Sequence, residues 1–471
     1  MGGWVAAVAA LLLSAHLPIR PSAQWRPDER VLISDFSYID AVAASPWTVF
    51  AATRHGLLIY DRLTRTWKLP VTTLDGYPTA RVRSAVADPS GNAVWLGIGG
   101  LDGYVRYDVD ARMWTRGAAP PPGQTLSVEA ALARAPAADA IRALILTDPR
   151  LRRYQFTAAA STPDRPDVYL GTNGMGLVRV DAQTGEWDAL PYGLVATGAG
   201  AIAPADGGVW VATNARPGGV DRRGLTWVGA DLSATRPTEG GGAALGFTFL
   251  SARRLLATAG ALWLGTEQGV LQIDPGTMRS RAFDLPQVTS LTPAPDGVWV
   301  GTTRGLSVVT QGGRVVRISD FPVLSLVAVR ETLWVGTTAG VIMMSPGSAD
   351  PAQVAAPSQP VFAMARVGDT IVAATDGSLV WRDAAGTWKE LPLSLALGRP
   401  TALAVDPDGG VWIGGTQGLA RADLARAFVR TLTVPVDLPA GVRDLLADQD
   451  YLWVATDSGL VRFDRRAARG R

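Results

Sequence analysis

An all-β fold built from stacked four-stranded sheets is predicted by three observations. First, a cassette of apolar residue, Trp, apolar residue, Gly or Ala, and often Thr recurs along the chain. Its clearest copies are Val94-Trp95-Leu96-Gly97, Leu262-Trp263-Leu264-Gly265-Thr266, Val298-Trp299-Val300-Gly301-Thr302, Leu333-Trp334-Val335-Gly336-Thr337, Val411-Trp412-Ile413-Gly414 and Leu452-Trp453-Val454-Ala455-Thr456. Weaker copies centre on Phe50, Tyr169, Trp210 and Val372, which makes ten. Second, an aromatic follows an Asp by six residues at Asp61 to Trp67, Asp108 to Trp114, Asp181 to Trp187 and Asp221 to Trp227, and by five at Asp383 to Trp388. Third, 52 Gly and 32 Pro punctuate the 471 residues at short intervals, as an all-β chain needs. A repeat of roughly 40 residues with four strands is the blade of a β-propeller. The expectation is a propeller of about ten four-stranded blades, with two smaller propellers as the alternative.

The elements follow in order. Residues 1–23 read as a signal peptide: the apolar run Val5 to Leu13 is too short to span a bilayer, and Pro21-Ser22-Ala23 offers a small-residue cleavage site. Met1 to Trp4 lack the usual basic residue. The expectation is an exported, periplasmic or extracellular protein whose mature part, 24–471, forms the propeller and has no membrane span. Within each unit the first strand is a small apolar run, as at Val82 to Gly91, and the cassette is the second strand. The third starts at the Gly and ends at an Asp, as in Gly176 to Asp181, and the fourth carries the second aromatic. Alternate residues of a strand face opposite ways, so the Trp and the small residue of a cassette share one side. Trp95, Trp210, Trp263, Trp299, Trp334, Trp412 and Trp453 are therefore predicted to fill the space between facing sheets, where the Gly or Ala lets neighbours approach.

After Asp464 the last unit has no fourth strand, whereas Trp25 and Val31-Leu32-Ile33 precede the first unit with no partners. Pairing of these ends would complete one blade and close the ring, removing free edges. A second ring inserted within the first would satisfy the same pairing. Two longer connections are read as insertions on one face, at 117–152 and 231–245. The first contains Val128 to Arg134 and Asp139 to Leu146, both Ala/Leu-rich and predicted helical; the second contains Gly240-Gly241-Gly242.

Composition excludes several chemistries. There is no Cys, and of two His only His55 lies outside the leader, so thiolate, Cys-metal, multi-His metal and His-triad sites have no basis. The net charge of +2 gives no case for nucleic acid. Gly97-Ile98-Gly99-Gly100-Leu101-Asp102-Gly103 is a turn between strands, not a strand-to-helix phosphate loop. No cofactor and no metal is expected.

The units at 262–270, 298–306 and 333–341 resemble the bacterial two-component-regulator propeller repeat. The resemblance implies a β-propeller of the kind found as extracytoplasmic ligand-binding sensor domains of hybrid histidine kinases, and as secreted propellers including an accessory subunit of the type IX secretion machinery. It implies no ligand, because the motif residues are the packing ones, and no kinase or linking β-domain is expected within this polypeptide.

The turns between second and third strands carry varied polar residues: Arg54, His55, Asp102, Asn173, Glu267, Gln268, Arg304, Asp376, Gln417 and Asp457. Together with the insertions they form the candidate binding face, for a partner protein or an envelope glycan. No catalytic residue is assigned. The expectation is a non-enzymatic sensor- or scaffold-like propeller. A carbohydrate-active lyase or hydrolase at the central funnel is the second reading, and a purely structural surface protein the third.

Overall fold

The structure is a computed structural model that describes residues 25–117, 119–121, 126–135, 154–214, 222–240, 251–345, 352–353, 357–383 and 385–470. Among these the strands form ten antiparallel sheets, nine of four strands and one, the first, with a fifth short strand beside its third. All ten cassettes are second strands, from Thr48–Thr53 in the first sheet to Tyr451–Thr456 in the tenth. The cassette Thr locks the following turn: the hydroxyls of Thr53, Thr266, Thr302, Thr337 and Thr456 each donate to the carbonyl three residues on.

Two sequence readings change. Trp227 does not lie on a fourth strand: it belongs to the third strand Gly224–Gly229, opposite Trp210, and Thr235–Glu239 is the fourth. Its six-residue spacing from Asp221 matches the other units without sharing their geometry. Residues 231–245 are therefore not one inserted loop; 235–239 are sheet, and 241–250 lie outside the described residues. Helix α1 spans Val128–Arg134 as predicted, capped by the Ser127 side chain, which accepts from the Ala130 amide. Asp139 to Leu146 lie outside the described residues.

Strand Arg30–Ile33 pairs antiparallel with Gly459–Asp464, with Arg30 opposite Phe463 and Ile33 opposite Leu460. The chain's first described strand is thus the fourth strand of the tenth sheet. Trp25 reinforces the join: its Nε1 donates to Asp437 Oδ1 at 3.0 Å and its ring centre lies 5.1 Å from that of Phe463. Helix α2, Arg465–Gly470, follows directly.

The first strands set the order of the sheets. Those of the fourth to tenth sheets, Gly198–Ala205 through Val442–Ala447, neighbour one another in chain order, and the tenth lies against the fourth. The first sheet's strand, Ile39–Ala44, instead has the second sheet on one side and the third on the other. The cassette glycines show why neighbours fit. A Cβ at Gly265 would stand 2.5 Å from Cγ1 of Val288 in the next sheet, and one at Gly301 would stand 2.5 Å from Cγ1 of Val323. A side chain there would have no room, so the glycine lets the next sheet close on it.

The chain passes from the tenth sheet into the first through 34–38 and leaves the third through 191–195, and these two segments meet. The Leu194 amide donates to the Ser34 carbonyl at 2.9 Å, and Asp35 bridges Gly193. One apolar cluster spans this neck, holding Val42 and Tyr60 of the first sheet, Tyr169 of the third, Ile202 of the fourth and Trp453 of the tenth. Of the cassette tryptophans, Trp263, Trp334, Trp412 and Trp453 are buried, while Trp95, Trp210 and Trp299 are half-buried. Among the described residues the indole N–H of Trp95 has no acceptor, whereas those of Trp263, Trp412 and Trp453 donate to Thr258, Asp406 and Asp448.

Candidate functional site

The starts of the first strands and the turns after the second strands lie at the same end of each sheet, because the two strands pair antiparallel. Eight of the ten first strands carry one extra residue near their start: Asp40, Arg83, Thr157, Gly200, Arg253, Thr289, Thr401 and Arg443. A bulge re-aims its side chain out of the regular alternation. Three of these, Thr157, Thr289 and Thr401, donate across to the neighbouring units, to the carbonyls of Ile39, of Val323 just before the seventh sheet, and of Val442, at 2.6, 2.8 and 2.8 Å.

Two of the three arginines at this position, Arg253 and Arg443, meet the predicted face. Arg253 pairs with Glu267 at 2.6 Å, and Arg443 grips Asp457 with two bonds of 2.8 and 2.7 Å. The Asp457 bond holds the Arg443 guanidinium pKa above its ordinary value. Both pairs are half exposed. Neither arginine is among the residues singled out from the sequence, although each precedes its acidic partner by 14 positions and follows an apolar residue that starts a strand.

Further in, Arg254 of the fifth sheet reaches the Thr401 carbonyl of the ninth at 3.4 Å. These sheets are not neighbours, so the side chain crosses the space between the first strands. Asp444 of the tenth sheet stands here too, accepting from the amides of Ile202 at 2.9 Å and Leu445 at 3.0 Å. Burial raises its carboxyl pKa, against the opposing pull of Arg254 and these two amides.

Arg54, His55 and Asn173 gather at the neck. The Arg54 guanidinium lies 3.6 Å over the Tyr38 ring, His55 Nδ1 donates to the Asp35 carbonyl at 2.7 Å, and Asn173 bridges Tyr38. Arg222 joins them, 3.6 Å from Asp35 and 3.5 Å from Glu239. Asp102, Gln268, Arg304, Asp376 and Gln417 are exposed on their turns, and their side chains make no hydrogen bond or ion pair among the described residues. The ten positions therefore divide: two in ion pairs, three at the neck, five free. No group of three or more His, Asp or Glu that could hold a metal ion occurs among the described residues.

No protein-family model matches the chain, and no curated protein matches it in sequence. Solved structures do match. PorZ, a surface component of the type-IX secretion system of Porphyromonas gingivalis, aligns over 93% of this chain and 87% of its own at 11% identity, with a TM-score of 0.57. The extracellular domain assigned to a hybrid two-component system of B. thetaiotaomicron aligns over 90% of this chain and 69% of its own at 11% identity and a TM-score of 0.47. A virginiamycin B lyase from Staphylococcus aureus covers 56% of this chain and 94% of its own at 14% identity and a TM-score of 0.46. The likeness is one of fold. The first two are extracellular or surface proteins, and no described helix of this chain is long and apolar enough to cross a membrane.

Proposed function

We propose that this chain is an exported β-propeller that binds a partner protein or an envelope glycan through the turn-bearing face, without catalysing a reaction. In this reading the fourth to tenth sheets form a closed ring of seven blades. Arg30–Ile33 supplies the last strand of the ring, and the first three sheets are a module inserted at the Ser34–Leu194 neck. The adjacency of the tenth and fourth sheets supports the ring.

The observation that carries the binding reading is the pairing of Arg253 with Glu267 and Arg443 with Asp457. Carboxylates so tied present a patterned polar surface and are poorly placed to exchange protons with a substrate. Capture from the native envelope tests it. The tagged protein should recover a partner that is lost both when 117–152 are deleted and when Arg54 and Asn173 are changed to Ala. Recovery unaffected by either change would overturn the reading, and no partner at all would favour a purely structural surface protein.

One observation favours a carbohydrate-active enzyme instead: Asp444, a carboxyl held toward its protonated form beside Arg254 in the middle of the seven sheets. Depolymerisation of a polysaccharide by the wild type and not by Asp444→Asn would establish that alternative.

A further inference from the structure

The outer edge of the ninth sheet carries a charge arrangement that the binding-face reading does not use. On its third and fourth strands, Gly418–Asp423 and Phe428–Thr433, Arg421 stands directly opposite Arg430. Like charges across a strand pair repel. The corresponding pair in the third sheet is Arg179 opposite Asp188, joined at 3.0 Å. The ninth sheet thus has a second cation where the third has the neutralising carboxylate.

The surroundings hold this arrangement in place. Asp406, fully buried, accepts from Trp412 Nε1 at 2.8 Å and from Arg421 Nε at 3.0 Å, and lies 3.3 Å from Arg469 Nε. Asp408 takes Arg469 in two contacts of 2.6 Å, and Arg465 of α2 approaches both carboxylates at 3.5 and 3.6 Å. These contacts fix Arg421 and Arg469 without side-chain freedom to lose on binding. In front of them a surface pocket opens between the fourth strand and α2, lined by Arg421, Arg426, Arg430 and Arg469 against one carboxylate, Asp423, with Phe428 at its wall. Arg426 is held loosely, 3.7 Å from Asp423; Arg430 has no partner among the described residues; and Phe428 is 60% exposed.

We propose that this pocket binds an acidic saccharide, a sugar whose carboxylate sits between Arg421 and Arg430 while its ring rests on Phe428. Guanidinium forks match a carboxylate's two oxygens, and an anion placed there relieves the Arg–Arg repulsion as well as forming charge-assisted bonds. An exposed aromatic ring beside a cationic cleft supplies the apolar face that a pyranose stacks on. The site lies on the sheet's outer edge and stands independently of the turn-bearing face.

Titration calorimetry of the full chain with oligogalacturonate, against a neutral malto-oligosaccharide and inorganic sulfate, tests this. Oligogalacturonate should bind, the neutral chain should not, and sulfate should compete only weakly. Arg430→Glu and Phe428→Ala should each weaken binding by about tenfold or more. The melting temperature should be unchanged in Phe428→Ala, whose side chain is exposed, and unchanged or raised in Arg430→Glu, which sets a carboxylate opposite Arg421. Arg314→Glu, at an exposed arginine in the turn between the third and fourth strands of the sixth sheet, should leave binding intact. Absence of binding, equal affinity for sulfate, or equal weakening by Arg314→Glu would overturn the assignment.

Discussion

A Cβ placed on Gly171 would stand 2.6 Å from Cγ2 of Ile39, so the third sheet presses its cassette glycine onto the first sheet and not onto the fourth. The contact repeats the one between Gly265 and Val288, but it joins sheets that run against chain order. Gly171→Val should overpack this seam and cost about 1–3 kcal/mol, read as a lower denaturant midpoint. Gly377→Ala, where a Cβ meets nothing within 4 Å, should change stability by less than about 0.5 kcal/mol. A neutral Gly171→Val would mean the seam is loose.

Burial divides the cassette tryptophans. Trp453 and Trp412 are enclosed, with their indole N–H groups bonded to Asp448 and Asp406. Trp453→Ala should therefore cost about 3–5 kcal/mol, and Trp299→Ala distinctly less, because Trp299 is half-buried. Equal losses in chemical denaturation would show that the half-buried ring is as enclosed as the buried one.

These two cases mark what the sequence makes legible. The alternation of a bulky residue, most often Trp, with Gly or Ala identifies every second strand, since the steric demand is local. The orphan run Val31-Leu32-Ile33 likewise points to the unit that lacks a fourth strand, and it pairs there. Which sheet lies over each glycine is not local: Gly171 and Gly265 sit in similar cassettes, yet one meets Ile39, far upstream, and the other Val288, just downstream. Trp227 shows the converse error, in which a spacing shared with Trp67 conceals a different strand. At the candidate face the turn residues are visible as polar variation. Their partners Arg253 and Arg443 are not, because a bulge on another strand aims them there.

The Arg443–Asp457 pair is solvent-exposed, so its worth to the fold is small despite two short bonds. Asp457→Asn should destabilise by less than about 1 kcal/mol, and the effect should shrink further in high salt. If partner capture falls sharply while the melting temperature barely moves, the pair serves recognition; a large loss of stability would place it in the scaffold.

Removal of residues 25–33 tests the end-to-end join. The tenth sheet would lose its outer strand, leaving the outer edge of Gly459–Asp464 without a partner and uncovering Phe463 and Val461, which are buried. An open edge of this kind recruits other chains. The truncated protein should melt at lower temperature and scatter light as it does so. Unchanged melting would show that the pairing contributes little.

Asp444 gives the fold a pH dependence of definite sign. Its carboxyl pKa is raised in the folded state, chiefly by burial. The folded chain therefore holds this proton more tightly than the unfolded chain, and the group's favourable contribution is complete below the unfolded value near 3.8. As pH climbs through the raised folded value that contribution is lost, because a charge must then be kept out of water. Asp444→Asn retains an oxygen for the Ile202 amide and removes the titration. At pH 4 the variant and the wild type should melt at similar temperatures, and at pH 7 the variant should be the more stable. A variant that is less stable at pH 7 would mean that the ionised carboxylate is held by Arg254 strongly enough to outweigh its burial.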